Sequence, residues 1–179
     1  MELPSAVAVA VAVAVAEPGS RAVARLVEYT PGRQVAFPPH TTLELIENPV
    51  FVAVPGAAGH AWGLLAWQGQ RLALLDLDAL LSARPATDRA VAPRYALVLA
   101  FQPVPQGPVA RGAIGLAALP QTVTAGDDAQ CELPTDSDLW PLLALSCFQH
   151  DGHPVPILDT ARLFTNSPSL RPALPAMAT

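Results

Sequence analysis

The sequence predicts an all-β fold with a few short helices, arranged as two similar small β units. Three observations carry this. From Arg25 onward, apolar runs of four to ten residues alternate with breaks centred on Pro and Gly, the pattern of short strands joined by tight turns. The 20 prolines among 179 residues exclude a helical bundle, because an interior proline removes a helix hydrogen bond and clashes with the preceding turn. Finally, the segment from Gly69 to Leu81 lines up without a gap with the segment from Gly152 to Phe164, at a constant offset of 83 residues. Each copy reads as a turn glycine, an apolar strand, an aspartate placed to cap a helix, and one short helix.

The elements follow in order. Arg25–Tyr29 and Arg33–Phe37 form a hairpin across Thr30-Pro31-Gly32, where Pro fixes φ and Gly accepts a positive φ. Val50–Val54, His60–Trp67 and Arg71–Leu75 are strand-sized and rich in branched or aromatic residues. Leu77, Leu80 and Leu81 after Asp76 have the spacing of one helical face. A polar connector spans Ser82–Pro93, a buried strand is predicted over Arg94–Gln102, and Pro103–Pro108 is a turn cluster. A strand over Ala113–Leu119 precedes a polar stretch, Gln121–Ser137. Trp140–Gln149 and Val155–Leu158 then form a second hairpin around His150-Asp151-Gly152-His153. Ahead of each turn glycine stands an aromatic with a glutamine, Trp67-Gln68 and Phe148-Gln149.

Composition bounds the function. The net charge is −5, and all ten basic residues are Arg. An acidic balance argues against a nucleic-acid groove, and a chain without Lys has no P-loop lysine. Two cysteines are too few for a disulfide framework, so a reduced, cytoplasmic setting is expected. The Val/Ala alternation of residues 6–16 is far shorter than the ~20 residues of a membrane span. It also has Glu2 where a signal peptide carries a basic residue. Residues 1–20 are therefore expected to be a low-complexity tail, 21–165 the folded domain, and 166–179 a disordered Pro-rich tail.

No catalytic constellation emerges. Ser146 lacks the glycines of a nucleophile elbow. Cys147, His150 and His153 have metal-ligand spacing, which keeps a metal-binding enzyme or sensor as an alternative. The hairpin-tip position of the histidines and the inward alternation of Cys147 favour an ordinary turn and a buried thiol. An exported β-barrel binding protein, with the Val/Ala run as leader, is a further alternative. Asp76 and Asp159 stand in matched positions before helices and read as caps rather than as paired acids. The expectation is a binding module with no enzyme activity, no cofactor and no metal, whose contacts use strand edges and apolar surface.

The stretch from Pro55 to Leu77 resembles the central signature of CheW-type chemotaxis coupling proteins: a proline, a spacer, a Gly, a strand ending near Leu-Arg-Gly, then an apolar strand closing in Asp-Leu. Phe37-Pro38, Thr42-Leu43-Glu44-Leu45-Ile46, Gly112-Ala-Ile-Gly115 and Ile157-Leu158-Asp159 also fit, so the resemblance covers about residues 21–165. It implies two SH3-like five-stranded β-barrel subdomains. It further implies a non-catalytic cytoplasmic adaptor joining methyl-accepting chemoreceptors to a CheA-type histidine kinase, in chemotaxis or in type IV pilus chemosensory signalling, without nucleic acid and without membrane insertion. The family's contact residues carry over to Glu44, Gly63 and the position of Gln68, with Thr42 in place of a Val and Leu45, Ile46 and Val52 as neighbourhood. Two departures stand out. Gln68 occupies the place of an Arg, which removes a charge and a bidentate donor, and Ala73 replaces a strand proline that the second copy keeps as Pro156.

Overall fold

A computed structural model describes residues 21–82 and 91–166. The tails expected over 1–20 and beyond Asn166, and all but the ends of the Ser82–Pro93 connector, lie outside the described residues. In chain order the first strands are β1 (Arg21–Thr30), β2 (Arg33–Phe37), β3 (Thr42–Glu47), β4 (Phe51–Val52), β5 (Ala61–Trp67) and β6 (Gln70–Leu75). After helix α1 (Leu77–Ser82) come β7 (Tyr95–Phe101), β8 (Ala110–Leu116) and β9 (Gln121–Gly126). Helix α2 (Trp140–Leu143), β10 (Ala144–His150), β11 (His153–Leu158) and helix α3 (Thr160–Thr165) complete the described chain.

The expected fold class holds: mostly strands, few short helices, two curled sheets. One sheet has five strands in the order β10-β11-β2-β1-β9; the other has six, β3-β7-β8-β6-β5-β4, the two-residue β4 being the addition to the five expected. Both repeat one scheme. An antiparallel hairpin (β10–β11 or β5–β6) joins in parallel to a strand (β2 or β8). That strand pairs antiparallel with its own hairpin partner (β1 or β7), which pairs antiparallel with β9 or β3. The two units are not consecutive blocks of chain. β3 to β8 form one unit without interruption, whereas β9 to β11 and α3 are completed by the N-terminal hairpin β1–β2.

The internal echo is structural. Strands β5 and β6 and helix α1 occupy the same spans as β10, β11 and α3 shifted by 83 residues. Even the irregularity repeats, between Ala61 and Gly63 in one copy and Ala144 and Ser146 in the other. Both hairpins turn through two residues of positive φ, Gln68 (45°) with Gly69 (74°) and Asp151 (48°) with Gly152 (77°), the type I′ geometry that matches strand twist. Asp76 caps α1 by accepting from the amide of Ala79, and Asp159 caps α3 by accepting from Ala161 and Arg162. The match pairs Trp67 with His150 and Gln68 with Asp151, not with Phe148 and Gln149 as the aromatic-glutamine pattern suggests.

Some local expectations shift. The polar stretch Gln121–Ser137 contains β9, a half-buried edge strand whose Thr122, Val123 and Thr124 are β-branched and fit a pleated surface. The strand expected over Trp140–Gln149 begins as the helical turn α2, because Pro141 stands at the start of a helix, where its missing N–H is harmless. Val50–Val54 contracts to β4, and the strand expected over Ala113–Leu119 sits three residues earlier, as β8.

Period-2 alternation sorts the apolar side chains into three cores. Val27, Val35 and Phe37 of one sheet meet Leu75, Leu97, Leu99 and Ile114 of the other in a shared core. Their immediate neighbours point the opposite way. Leu74, Ala96 and Val98 fill the curl of the six-stranded sheet together with Leu65 and Trp67, and Leu26 and Ala36 fill that of the five-stranded sheet with Phe148 and Val155. Leu77 and Leu81 of α1 and Leu163 and Phe164 of α3 join the shared core, where the Phe164 ring stacks on Phe101 with centroids 4.8 Å apart. Asp136 ties the segment before α2 to the first hairpin, pairing with Arg33 at 2.9 Å and accepting from the Trp140 indole at 2.7 Å.

Candidate partner-binding site

Strand β3 is an edge strand whose register with β7 shifts between Thr42 and Glu44. The irregularity breaks simple alternation, so Leu43, Glu44 and Leu45 in succession are exposed. Glu44 reaches the end of β5. Its Oε2 accepts from the indole Nε1 of Trp67 at 2.6 Å and from the side-chain amide of Gln68 at 3.4 Å. The aromatic body of Trp67 is buried in the sheet's curl while its N–H meets the carboxylate at the rim, the usual compromise for a buried indole. Above the ring lies the guanidinium of Arg111 on β8, 5.7 Å from the centroid.

The structure thus brings two of the five expected residues, Glu44 and Gln68, into direct contact. Thr42 is anchored elsewhere, its hydroxyl donating to the carbonyl of Pro39 at 2.8 Å. Leu45 is exposed beside Glu44, Ile46 packs toward the core within the sheet, and Val52 is exposed on β4. Gly63 is buried and has φ 146°; a Cβ there would stand 2.2 Å from the carbonyl oxygen of Val52. Its part is therefore to let β4 lie close against β5, which holds Val52 in place. Leu43, Leu45, Val50, Val52 and Val54 leave an exposed aliphatic surface along β3 and around β4.

Trp67 and Arg111 are members of this corner that sequence reasoning missed. Trp67 ends a strand next to Gln68 and was legible as an apolar residue, but nothing local signals its partner. Arg111 carries no signal at all, since the pairing of β8 with β6 that brings it near Trp67 is long-range. The alternative metal cluster is not assembled. Cys147 is buried with its Sγ toward Cys131, and His150 lies edge-on to the Phe148 ring and 3.5 Å from Asp151. Among the described residues, no group of three or more His, Cys, Asp or Glu side chains is placed to hold a metal ion, and no helix is long and apolar enough to cross a membrane.

Two curled β-sheets with repeated connectivity, presenting a polar corner beside exposed aliphatic edges, define a class of two-unit β protein. The model of the CheW-like domain family matches residues 29–168, and the chain belongs to that family. Among solved structures, the scaffolding protein TtCheW from Thermoanaerobacter tengcongensis is similar, with a TM-score of 0.63 at 10% sequence identity, over 81% of this chain and 88% of that one. That likeness establishes the shared fold. No match was found among curated proteins.

Proposed function

We propose that the protein is a non-catalytic cytoplasmic adaptor that couples methyl-accepting chemoreceptors to a CheA-type histidine kinase, in chemotaxis or in type IV pilus chemosensory signalling. The observation that carries this reading is the family match over residues 29–168, which extends across both units rather than one motif. Residues 21–165 are the working domain in this reading, with 1–20 and 166–179 as tails. Thr42, Glu44, Leu45, Gly63 and Gln68 form the partner-binding site. Glu44 supplies charge, Gln68 orients it through the shared carboxylate contact, Leu45 adds apolar area, and Thr42 and Gly63 fix the backbone on which these sit.

This division of labour matches how interfaces work: an apolar area excludes water, while a few polar groups set register and partner choice. The replacement of Arg by Gln68 removes a cation that would attract a partner's carboxylate. Arg111, parked on the Trp67 ring, keeps a cation at the same corner from another strand.

The test is a binding titration of the full chain against the regulatory region of a CheA-type histidine kinase and the cytoplasmic tip of a chemoreceptor. Glu44→Lys is expected to weaken one of the two at least tenfold, about 1.4 kcal/mol, while the variant stays folded at the assay temperature despite losing the Trp67 bond. Unaltered affinity for both partners removes Glu44 from the site, and failure of the native protein to bind either overturns the adaptor reading.

A further inference from the structure

Cys131, in the irregular segment that follows β9, faces Cys147 on β10. Gln130 and Phe148 form an antiparallel bridge, so the next pair in register is Cys131 with Cys147. The amide of Cys131 donates to the carbonyl of Cys147 at 3.1 Å, and the two Sγ atoms are 3.2 Å apart. Antiparallel neighbours hold opposed Cα atoms about 4.5–5.5 Å apart, inside the ~4.4–6.8 Å range that a disulfide spans. The backbone is already where a cross-link needs it.

The fold's internal symmetry shows what is unusual about the place. In the other unit Val52 pairs with Leu64 and Phe51 with Leu65. A shift of 83 residues carries Leu64 to Cys147 and Leu65 to Phe148, so Cys131 and Gln130 take the positions of Val52 and Phe51. Both segments cover the outer edge of a hairpin strand, β5 in one unit and β10 in the other. One unit fills the position with two inert aliphatic side chains; the other fills it with two thiols. A thiol packs as a small apolar group, so packing alone explains burial there but not two adjacent sulfurs. The two differ in access: Cys131 is half-buried and Cys147 buried. Burial first, and then the contact with Cys131, push the Cys147 thiol up to about 12, which keeps it protonated and a poor first target for an oxidant.

We propose that Cys131 and Cys147 are a peroxide-oxidisable dithiol whose disulfide clamps the Gln130–Cys131 segment onto β10. The Cys131 thiolate attacks hydrogen peroxide; an S–O bond forms, the O–O bond breaks, and Cys131 sulfenic acid and hydroxide result. The Cys147 sulfur then attacks the sulfenic sulfur. The S–S bond forms as the S–O bond breaks, and the departing hydroxyl leaves as water with the Cys147 proton. Two electrons pass from the sulfurs to the peroxide, and a thiol reductant reverses the link.

The experiment treats the reduced full-length protein with hydrogen peroxide, blocks remaining thiols by alkylation, and reads intact mass and a non-reducing peptide map. The expected result is loss of the mass of two hydrogens, loss of both alkylatable thiols, a cross-linked peptide joining Cys131 to Cys147, and full recovery with dithiothreitol. Cys147→Ser is expected to stop at a Cys131 sulfenic acid captured by dimedone, and Cys131→Ser to leave Cys147 unoxidised in the folded protein. Wild-type protein that only gains oxygen, that forms disulfide-linked dimers through Cys131, or that keeps both thiols until it is unfolded overturns the proposal. These wild-type readouts decide the question even if a variant fails to fold.

Discussion

Trp67 donates to Glu44 at 2.6 Å although three strands, β7, β8 and β6, lie between their own strands in the sheet. The sheet therefore curls until its β3 edge comes round to β5, and this bond is one of the struts across the seam. Removing the donor (Trp67→Phe), the acceptor (Glu44→Ala) or both makes a double-mutant cycle. A coupling of about 1 kcal/mol is expected from urea unfolding; a coupling indistinguishable from zero means that apolar packing alone holds the curl.

The close passage of β4 over Gly63 sets a second expectation. Gly63→Ala places a methyl 2.2 Å from the Val52 carbonyl oxygen on strained backbone, so a loss above about 2 kcal/mol is expected. Gly69→Ala also sits at positive φ but meets nothing within 4 Å and is expected to lose only about 1 kcal/mol. Thermal unfolding of both variants checks the contrast, and equal losses would mean that strain, not the contact with β4, dominates at Gly63.

Asp76 and Asp159 offer a matched pair. Asp76 accepts from a first-turn amide of its helix and Asp159 from two, so Asp76→Ala and Asp159→Ala are each expected to destabilise by about 1–2 kcal/mol, and Asn at either position by less. Chemical denaturation of the four variants measures this. A neutral Asp76→Ala would show that α1 is held by its leucines alone.

Alkaline stability should carry the mark of Cys147. Its thiol is raised from 9.0 to about 12 by burial and by Cys131. Below pH 9 the thiol is protonated in both folded and unfolded chains, and its contribution is fully present. Between about pH 9 and 12 the unfolded chain releases the proton while the folded chain keeps it, so stability falls with rising pH. Tyr29, also raised by burial, adds a loss of the same sign. Cys147→Ala should flatten the decline in unfolding free energy above pH 9 under reducing conditions; an identical slope refutes the assignment.

Much of the fold was legible because local chemistry and global structure agree where the chain turns. Thr30-Pro31-Gly32, Asp151-Gly152 and the two capping aspartates each specify a backbone geometry within a few residues, and the offset of 83 repeats that specification. Strand β9 and the Gln130 bridge were hidden because an edge strand buries little and shows polar residues. Of the candidate site, Glu44 and Gln68 were reached through a family likeness, and their contact came from the structure. The pairing of Glu44 with Trp67 and the approach of Arg111 depend on sheet curl, which arises from the sum of many strand twists. A residue's own neighbourhood in sequence records nothing of it.

The placement of the N-terminal hairpin bears on how the molecule is made. Among the described strands β1 and β2 are made first, yet their sheet partners β9 and β11 are among the last. The uninterrupted unit from β3 to β8 has all its sheet partners once β8 is made, but the β1–β2 hairpin keeps open hydrogen-bonding edges until β9 and β11 have emerged. A stop anywhere before β11 leaves a product whose first hairpin has lost its parallel neighbour and keeps an open strand edge.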